Sequence, residues 1–374
     1  MTTDAMTAAV YHGVGDVRLE SRPRPRPAAG EVLVRVRAAG VCGSDAAEYL
    51  HAPTLIRGDG RRAAEPVTLG HEFAGDIVEA GPGVDPARVG ELVVCGAGIS
   101  CGDCAMCRRG RTNLCAGYHT IGFHRDGGLA GYVTAPAGIC VAVGDRGLGP
   151  DTAALGQPMA VAVHARRRGG AGPGNVALVV GVGGIGAFLT YACVAAGVRV
   201  WAADVAGTRL DLARALGAEQ VIDVRTTAPA AALADAGLRA DVVFEVTGTA
   251  GGLDTAAAAT PPGGRLVLVG IQHGTPAVPA ARWTLQEVDV LGTVAHVCAD
   301  DLPAALDVLA ARPTWADIAP TVHPLGMLVR EGLTPAAPGA ARPTKVLFDP
   351  AAVEARPAEH RRTPAAATRT GGAP

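Results

Sequence analysis

Two groups of residues in this sequence have the types and spacing to do chemistry. Cys101, Cys104, Cys107 and Cys115 fall within fifteen residues of a glycine-punctuated stretch. Four thiolates at that spacing close a tetrahedral shell around zinc and leave no position for a substrate, so they read as a structural metal site. Free thiols at this density would be an oxidation hazard, and a redox pair needs only two. The second group is Gly181-Val182-Gly183-Gly184-Ile185-Gly186, a G-x-G-x-x-G. Gly181 permits a tight turn, Gly183 lets the backbone approach a pyrophosphate, and Gly186 lets helix and strand pack closely. The helix N-terminus, where Gly184 and Ile185 fall, then offers free N–H groups to the anion. Asp204 ends the next apolar run, eighteen residues after Gly186. Its carboxylate suits ribose hydroxyls and repels a 2′-phosphate, which favours NAD over NADP; Arg209 close by weakens that preference.

The elements that must position these groups follow from the hydrophobic pattern. Residues 31–37 alternate apolar and polar, as a half-buried strand does. Short strands and Gly/Pro turns continue to about Val143, which reads as an antiparallel barrel or sandwich. From about residue 172 the texture changes. Residues 176–180 form a continuous apolar run, as in a strand buried on both faces. A helix over 187–196 and strands near 198–203, 220–222, 241–244 and 265–269 follow, the alternation of a doubly wound parallel sheet. One more helix (300–311) and a late strand (345–348) close the pattern. Residues 22–27, Arg-Pro-Arg-Pro-Arg-Pro, are an extended surface connector. Residues 351–374 are rich in Ala, Pro, Thr and Arg without periodicity and are predicted to be a disordered tail.

Bulk properties exclude several functions. The 374 residues exceed one ordinary core and imply two domains. Net charge is −2 with 3% aromatics and no basic run, which argues against nucleic acid as a partner. No apolar stretch reaches transmembrane length, and the first ten residues lack signal-peptide features, so no membrane association and a cytoplasmic location are expected. Nine cysteines, an odd number, speak against a disulfide framework. Lys345 is the sole lysine, arginine supplying the other positive charges, and reads as a coding bias.

Further motifs give the sequence a family resemblance. Gly40-Val-Cys-Gly-Ser-Asp45, Gly70-His-Glu-Phe-Ala-Gly75, the four-cysteine loop, Gln157-Pro-Met-Ala-Val-Ala-Val-His-Ala165 and the glycine fingerprint occur in this order. Together they resemble the zinc-dependent medium-chain dehydrogenase/reductases, especially the butanediol, sorbitol and threonine dehydrogenase branch, over residues 8–349. The resemblance implies an α/β fold with a GroES-like β-rich catalytic domain and a Rossmann domain. The catalytic domain would span 1–158, with its structural-zinc lobe at 95–116. The cofactor domain would span 159–295, and 296–350 would return to the catalytic domain. It implies one catalytic and one structural zinc, NAD, and a homodimer or homotetramer. Cys42 and His71 would be catalytic zinc ligands. Glu72 would be a ligand or a close carboxylate that swings onto the metal. Ser44 would take the alcohol proton, and Asp45 would orient His71. Val246, Thr247 and Val269 would lie against nicotinamide and ribose, while Glu245 and His164 would pack behind the site. The chemistry fits these residue types: an alcohol pKa near ~16 must fall toward ~7, which zinc achieves for bound water, and the cofactor takes the hydride.

The sequence departs from the family pattern twice. Gln157 stands where the branch usually has a glutamate ligand. An amide still offers an oxygen to zinc or to a water on it, but no charge, so the site should be more electrophilic and hold zinc less tightly. Ala47 stands where a histidine commonly ends the proton relay. His51 is either a substitute or, more commonly for such a histidine, a surface loop residue. Arg57, Arg61 and Arg62 in the presumptive substrate loop read as solvated, with an acidic substrate as the sharper alternative. The expected function is hydride transfer between NAD and a secondary alcohol in a vicinal diol, polyol or hydroxylated ring, the partner being that alcohol or its ketone. Two alternatives stay open at this point: a dedicated biosynthetic dehydrogenase for an amino sugar, cyclitol or threonine-like intermediate, and a catalytically weak cofactor-binding protein.

Overall fold

The computed structural model describes residues 5–51, 66–272, 274–334 and 343–361. An eight-stranded sheet organises the β-rich part. Its central strand is β1 (Glu31–Gly40), followed by helix α1 (Gly43–Leu50) and strand β2 (Glu72–Ala80), which pairs antiparallel with β1. Strand β3 (Leu92–Cys95) pairs with β2, and β4 (Cys140–Ala142) pairs with β3. Strand β1 shows why alternation is incomplete in such a sheet: only Arg35 and Arg37 reach solvent, both paired to Asp76, and its other side chains are buried or half-buried. A three-stranded sheet of Asp16–Pro23, Ala5–Gly13 and Val67–Thr68 flanks it.

Helix α2 (Gly156–Gly169) leads into the parallel part and ends on Gly170, whose φ of +66° stops the helix in the left-handed region. Strand β5 (Val176–Val180) is buried along its whole length, as its uninterrupted apolar run requires. Helix α3 (Gly184–Ala195) follows, then β6 (Arg199–Asp204), β7 (Gln220–Asp223), β8 (Val242–Glu245), β9 (Arg265–Leu268) and β10 (Asp289–Gly292). These six strands run parallel in the order β7-β6-β5-β8-β9-β10. The order reverses beside β5, so the crevice at the carboxyl ends of β5 and β8 is the switch point where such sheets take ligands. The boundary expected at residue 158 falls inside α2, which packs on both parts.

Helix α4 (Cys298–Ala310) packs along α2, and the chain then rejoins the first sheet. Strand β11 (Thr321–Pro324) lies beside β12 (Leu347–Asp349), which pairs with the end of β1. The tail corrects the sequence reading. Residues 351–361 are held, with β13 (Arg356–Pro357) antiparallel to β11. The cause is polar and long-range: Arg356 grips the buried carboxylate of Asp151 at 2.6 and 3.0 Å, and His360 meets Thr152 at 2.9 Å. Residues 362–374 lie outside the described part. No helix among the described residues is long and apolar enough to cross a membrane.

Candidate active site and metal centres

Cys42 precedes α1 and is fixed by the turn that starts that helix. Its N–H donates to Asp45 Oδ2 at 2.8 Å. Asp45, fully buried, turns its other oxygen to His71 Nδ1 at 3.4 Å, so one carboxylate orients two of the expected ligands. His71 enters through Gly70, whose φ of +102° and close approach to the Leu129 backbone admit no side chain. The ring of Phe123 lies 5.0 Å from that of His71. Glu72 opens β2 opposite Gly40, two residues before Cys42.

Ligand atoms of Cys42, His71 and Glu72 lie within 4.8 Å of one another. A thiol, an imidazole and a carboxylate converging in a buried place match the donor set of a catalytic zinc. The electrostatics agree. Burial and the Glu72 carboxylate act to raise the Cys42 thiol, yet His71 and Lys345 outweigh them and its pKa falls below the ordinary thiol value. Burial acts against a charged His71, but Asp45 and Cys42 lift it well above the usual imidazole range. Both shifts favour the charged forms, thiolate and imidazolium.

Lys345 was missed by sequence reasoning. Its ammonium is 2.6 Å from Glu72 Oε1 and 3.0 Å from the carbonyl of Val41, the residue before Cys42. It is 5% exposed. The signal was present: in a chain with 33 basic residues of which all but one are arginine, the lone lysine marks a place that arginine does not fill.

Ser44 sits half-buried in the first turn of α1, beside Cys42 in sequence. His51 caps the far end of α1 and is exposed, in accord with the surface reading. Gln157 is buried in the first turn of α2, which packs against β2 and β3. Arg57, Arg61 and Arg62 lie outside the described residues.

The four-cysteine lobe is a separate, local site. Sulfurs of Cys101, Cys104, Cys107 and Cys115 lie within 4.8 Å of one another. Backbone N–H groups feed them: Cys104 N to Cys101 Sγ at 3.3 Å, and Cys101 N and Gly117 N to Cys115 Sγ at 3.2 Å each. The backbone of Cys107 and Ala116 brings Cys104 down to about 6, whereas burial and Cys104 push Cys107 up to about 11. Two neighbouring thiols split this way are crowded in a manner that a dication relieves. Asn113, inside the lobe, donates to the Val294 carbonyl at 2.9 Å and to His164 Nε2 at 3.3 Å; His164 Nδ1 meets Asp301 at 2.7 Å. His164 is therefore a link between the lobe, α2 and α4.

The fingerprint glycines fit a dinucleotide. A Cβ on Gly181 would lie 2.6 Å from Thr247, and one on Gly186 would lie 1.9 Å from the Gly181 carbonyl, while Gly183 and Gly184 face open space. Asp204 is occupied more fully than expected. Its oxygens accept from Val182 N at 2.7 Å, Val205 N at 2.8 Å and Ala206 N at 3.0 Å, so it also pins the fingerprint loop. Arg209 lies 3.7 Å from it. Val246 and Val269 continue from β8 and β9, their N–H groups bonded to Val180 and Glu245 carbonyls. Buried Glu245 accepts from Thr247 N and Oγ1 and from Gln272, shaping the loop behind the crevice.

Comparison with known proteins agrees with this architecture. The alcohol dehydrogenase GroES-like domain matches residues 28–145, and the zinc-binding dehydrogenase domain matches 184–311. The sorbitol dehydrogenase of Arabidopsis thaliana is 34% identical over 87% of this chain and 89% of its own. The crystal structure of 2R,3R-butanediol dehydrogenase from Bacillus subtilis is 31% identical, covers 92% of this chain and 99% of its own, and superposes with a TM-score of 0.83. An Escherichia coli alcohol dehydrogenase complexed with NADH is 26% identical, covers 92% and 99%, and gives a TM-score of 0.82. The chain belongs to the zinc-dependent medium-chain alcohol dehydrogenases.

Proposed function

We propose that this enzyme oxidises a secondary alcohol of a vicinal diol, polyol or hydroxylated ring, with NAD as hydride acceptor, and reduces the corresponding ketone in reverse. The observation that carries this reading is the convergence of Cys42, His71 and Glu72 in a chain whose relatives act on sorbitol and butanediol. Zinc supplies the polarisation that makes an alcohol acidic near neutral pH, and the nicotinamide takes the hydride. Cys42 and His71 hold the metal, with Asp45 fixing both. Gln157 contributes an uncharged amide oxygen. Ser44 would receive the hydroxyl proton and pass on its own; Ala47 offers no titratable group for the next transfer, and His51 is exposed at the far end of α1.

Gly181, Gly183, Gly184, Ile185 and Gly186 cradle the pyrophosphate, and Asp204 favours NAD over NADP with Arg209 moderating the preference. Val246, Thr247 and Val269 line the nicotinamide and ribose end. The four cysteines 101, 104, 107 and 115 hold the structural zinc. A homodimer or homotetramer in the cytoplasm completes the reading. The oligomer is supported by the exposed edge strand β10 with Leu285 (85% exposed) and Val294 (51%) beside it. The test is NADH formation over a panel of vicinal diols, polyols, cyclitols and simple primary and secondary alcohols, with a chelator-treated control. Turnover confined to simple primary alcohols, or indifferent to the chelator, would refute it.

A further inference from the structure

The end of the described chain holds a group of buried polar contacts that the reaction scheme leaves unused. Asp151 lies in a short helix, Pro150–Ala153, and is 1% exposed. Among the described residues, every hydrogen bond its carboxylate receives comes from the C-terminal segment: Arg356 Nη1 at 2.6 Å, Arg356 Nη2 at 3.0 Å and Glu359 N at 2.7 Å. The next residue, Thr152, is fully buried; its hydroxyl donates to the His360 carbonyl at 3.1 Å and meets His360 Nδ1 at 2.9 Å. A Cβ on Gly149 would lie 2.6 Å from the Glu359 carbonyl, so the segment presses on the start of that helix. Its own footing lies elsewhere. Ala358 N donates to Pro320 O at 3.0 Å, and Arg361 Nη2 reaches the carbonyls of Ala310 and Arg312, at the end of α4, at 2.9 and 2.7 Å.

The short helix runs on into α2 without a break in helical backbone. Ala154 and Leu155 both keep right-handed helical dihedrals, Leu155 N donates to Thr152 O at 3.0 Å, and Met159 N donates to Leu155 O at 3.1 Å. Gln157 stands six positions after Asp151 in this one stretch and is itself buried. A glutamate there would be drawn to a dication by its charge. The amide of Gln157 has only a dipole, whose pull is weaker and shorter in range, so its place must come from the helix that carries it.

We propose that the segment 351–361 is a clamp and that Arg356 is its positioning residue: through Asp151 it sets the start of α2 and so places Gln157 at the catalytic metal. This rests on the reading of Gln157 as the amide beside the zinc. Without Arg356 the buried carboxylate of Asp151 loses its cation, and such a group turns out towards water. The helix start that carries it follows, and Gln157 moves with that start. The family motifs span 8–349, so the clamp lies in chain that those motifs do not cover. The uncharged residue at 157 and the held tail are then two parts of one arrangement.

The test compares one lesion in two backgrounds, in the full chain with the four-cysteine lobe left zinc-loaded. Cobalt(II) is titrated into the catalytic site against a competing chelator, and kcat and thermal unfolding are followed beside it. Arg356→Met is expected to weaken cobalt binding about tenfold, shift its visible d–d bands and lower kcat about tenfold, with KM for NAD within about twofold of the parent. Placed on Gln157→Glu, whose charge finds the metal unaided, the same substitution is expected to cost less than about twofold in either quantity relative to Gln157→Glu alone. Equal losses in the two backgrounds, or a lowered Tm with cobalt affinity, bands and kcat unchanged, would overturn the proposal and leave the segment a purely structural strap. If Arg356→Met does not fold, Arg356→Lys decides by the same comparison, since it keeps the charge and loses the two-pronged grip; about threefold is then expected in the parent and none on Gln157→Glu. Gln157→Ala is the separate control: cobalt affinity and bands unchanged there would refute the reading of Gln157 itself, whatever Arg356 does.

Discussion

The two candidate metal centres of this chain are built on opposite plans. The four-cysteine lobe is contiguous, partly exposed, and supplied with backbone N–H groups from its own loop. The Cys42–His71–Glu72 cluster is assembled from a helix start and a strand start, and His71 and Glu72 are fully or almost fully buried. In the lobe, like donors crowd together and only a cation resolves the crowding. In the cluster, charge is balanced in advance by Asp45 and Lys345 at fixed distances. A site that exists to hold a metal can afford to depend on it. One that must exchange ligands during turnover needs a scaffold that survives without it.

The sharpest way to break this comparison is to exchange the lesions. Cys42→Ser should lower kcat/KM by about 10³-fold or more while leaving Tm within a few degrees, because zinc polarisation contributes several kcal/mol to the barrier. Cys107→Ser should do the reverse in character: loss of one zinc equivalent and of several kcal/mol of stability, read by thermal unfolding, since structural zinc binding is folding free energy. If Cys107→Ser kept its stability, the lobe would not be structural.

Gln157→Glu sharpens the electrostatic side. Adding a carboxylate should tighten retention of the catalytic zinc about tenfold and move the alkaline rise of the pH–rate profile up by about one unit, because one more negative charge disfavours the ionised alcohol. Unchanged zinc retention and an unchanged profile would place Gln157 away from the metal. The smallest expected effect tests how firmly the lobe is tied to the rest of the chain. Asn113→Ala removes the donor that ties the lobe to His164 and to the Val294 carbonyl. It should cost about 1–2 kcal/mol of stability with zinc content unchanged, measured by denaturant unfolding alongside metal analysis.

The same contrast explains what was legible in the sequence. Local features could be read directly. The lobe is one short loop, the fingerprint is six consecutive residues, and β5 announces itself through an uninterrupted apolar run. Motif resemblance brought Cys42, His71 and Glu72 forward, and the fold places them together. Features defined by distant partners could not be read. The ordered stretch 351–361 has no periodicity because Arg356 and His360 are held by Asp151 and Thr152, about 200 positions earlier. Lys345 looked like a remnant of coding bias because its meaning lies in Glu72 and Val41, far away in the chain. Asp204 shows the intermediate case: its place at the end of β6 was expected, but its grip on three backbone N–H groups appears only in the folded loop.

The most direct test of the account is a chelator titration of the native protein, following zinc content, NADH formation from an active polyol or diol, and the far-UV spectrum together. The account predicts that the first zinc equivalent to leave takes the activity with it and leaves the fold intact, and that the second leaves only with unfolding. Activity that persisted until the second equivalent was lost, or a fold that collapsed with the first, would contradict the division of labour between the two centres.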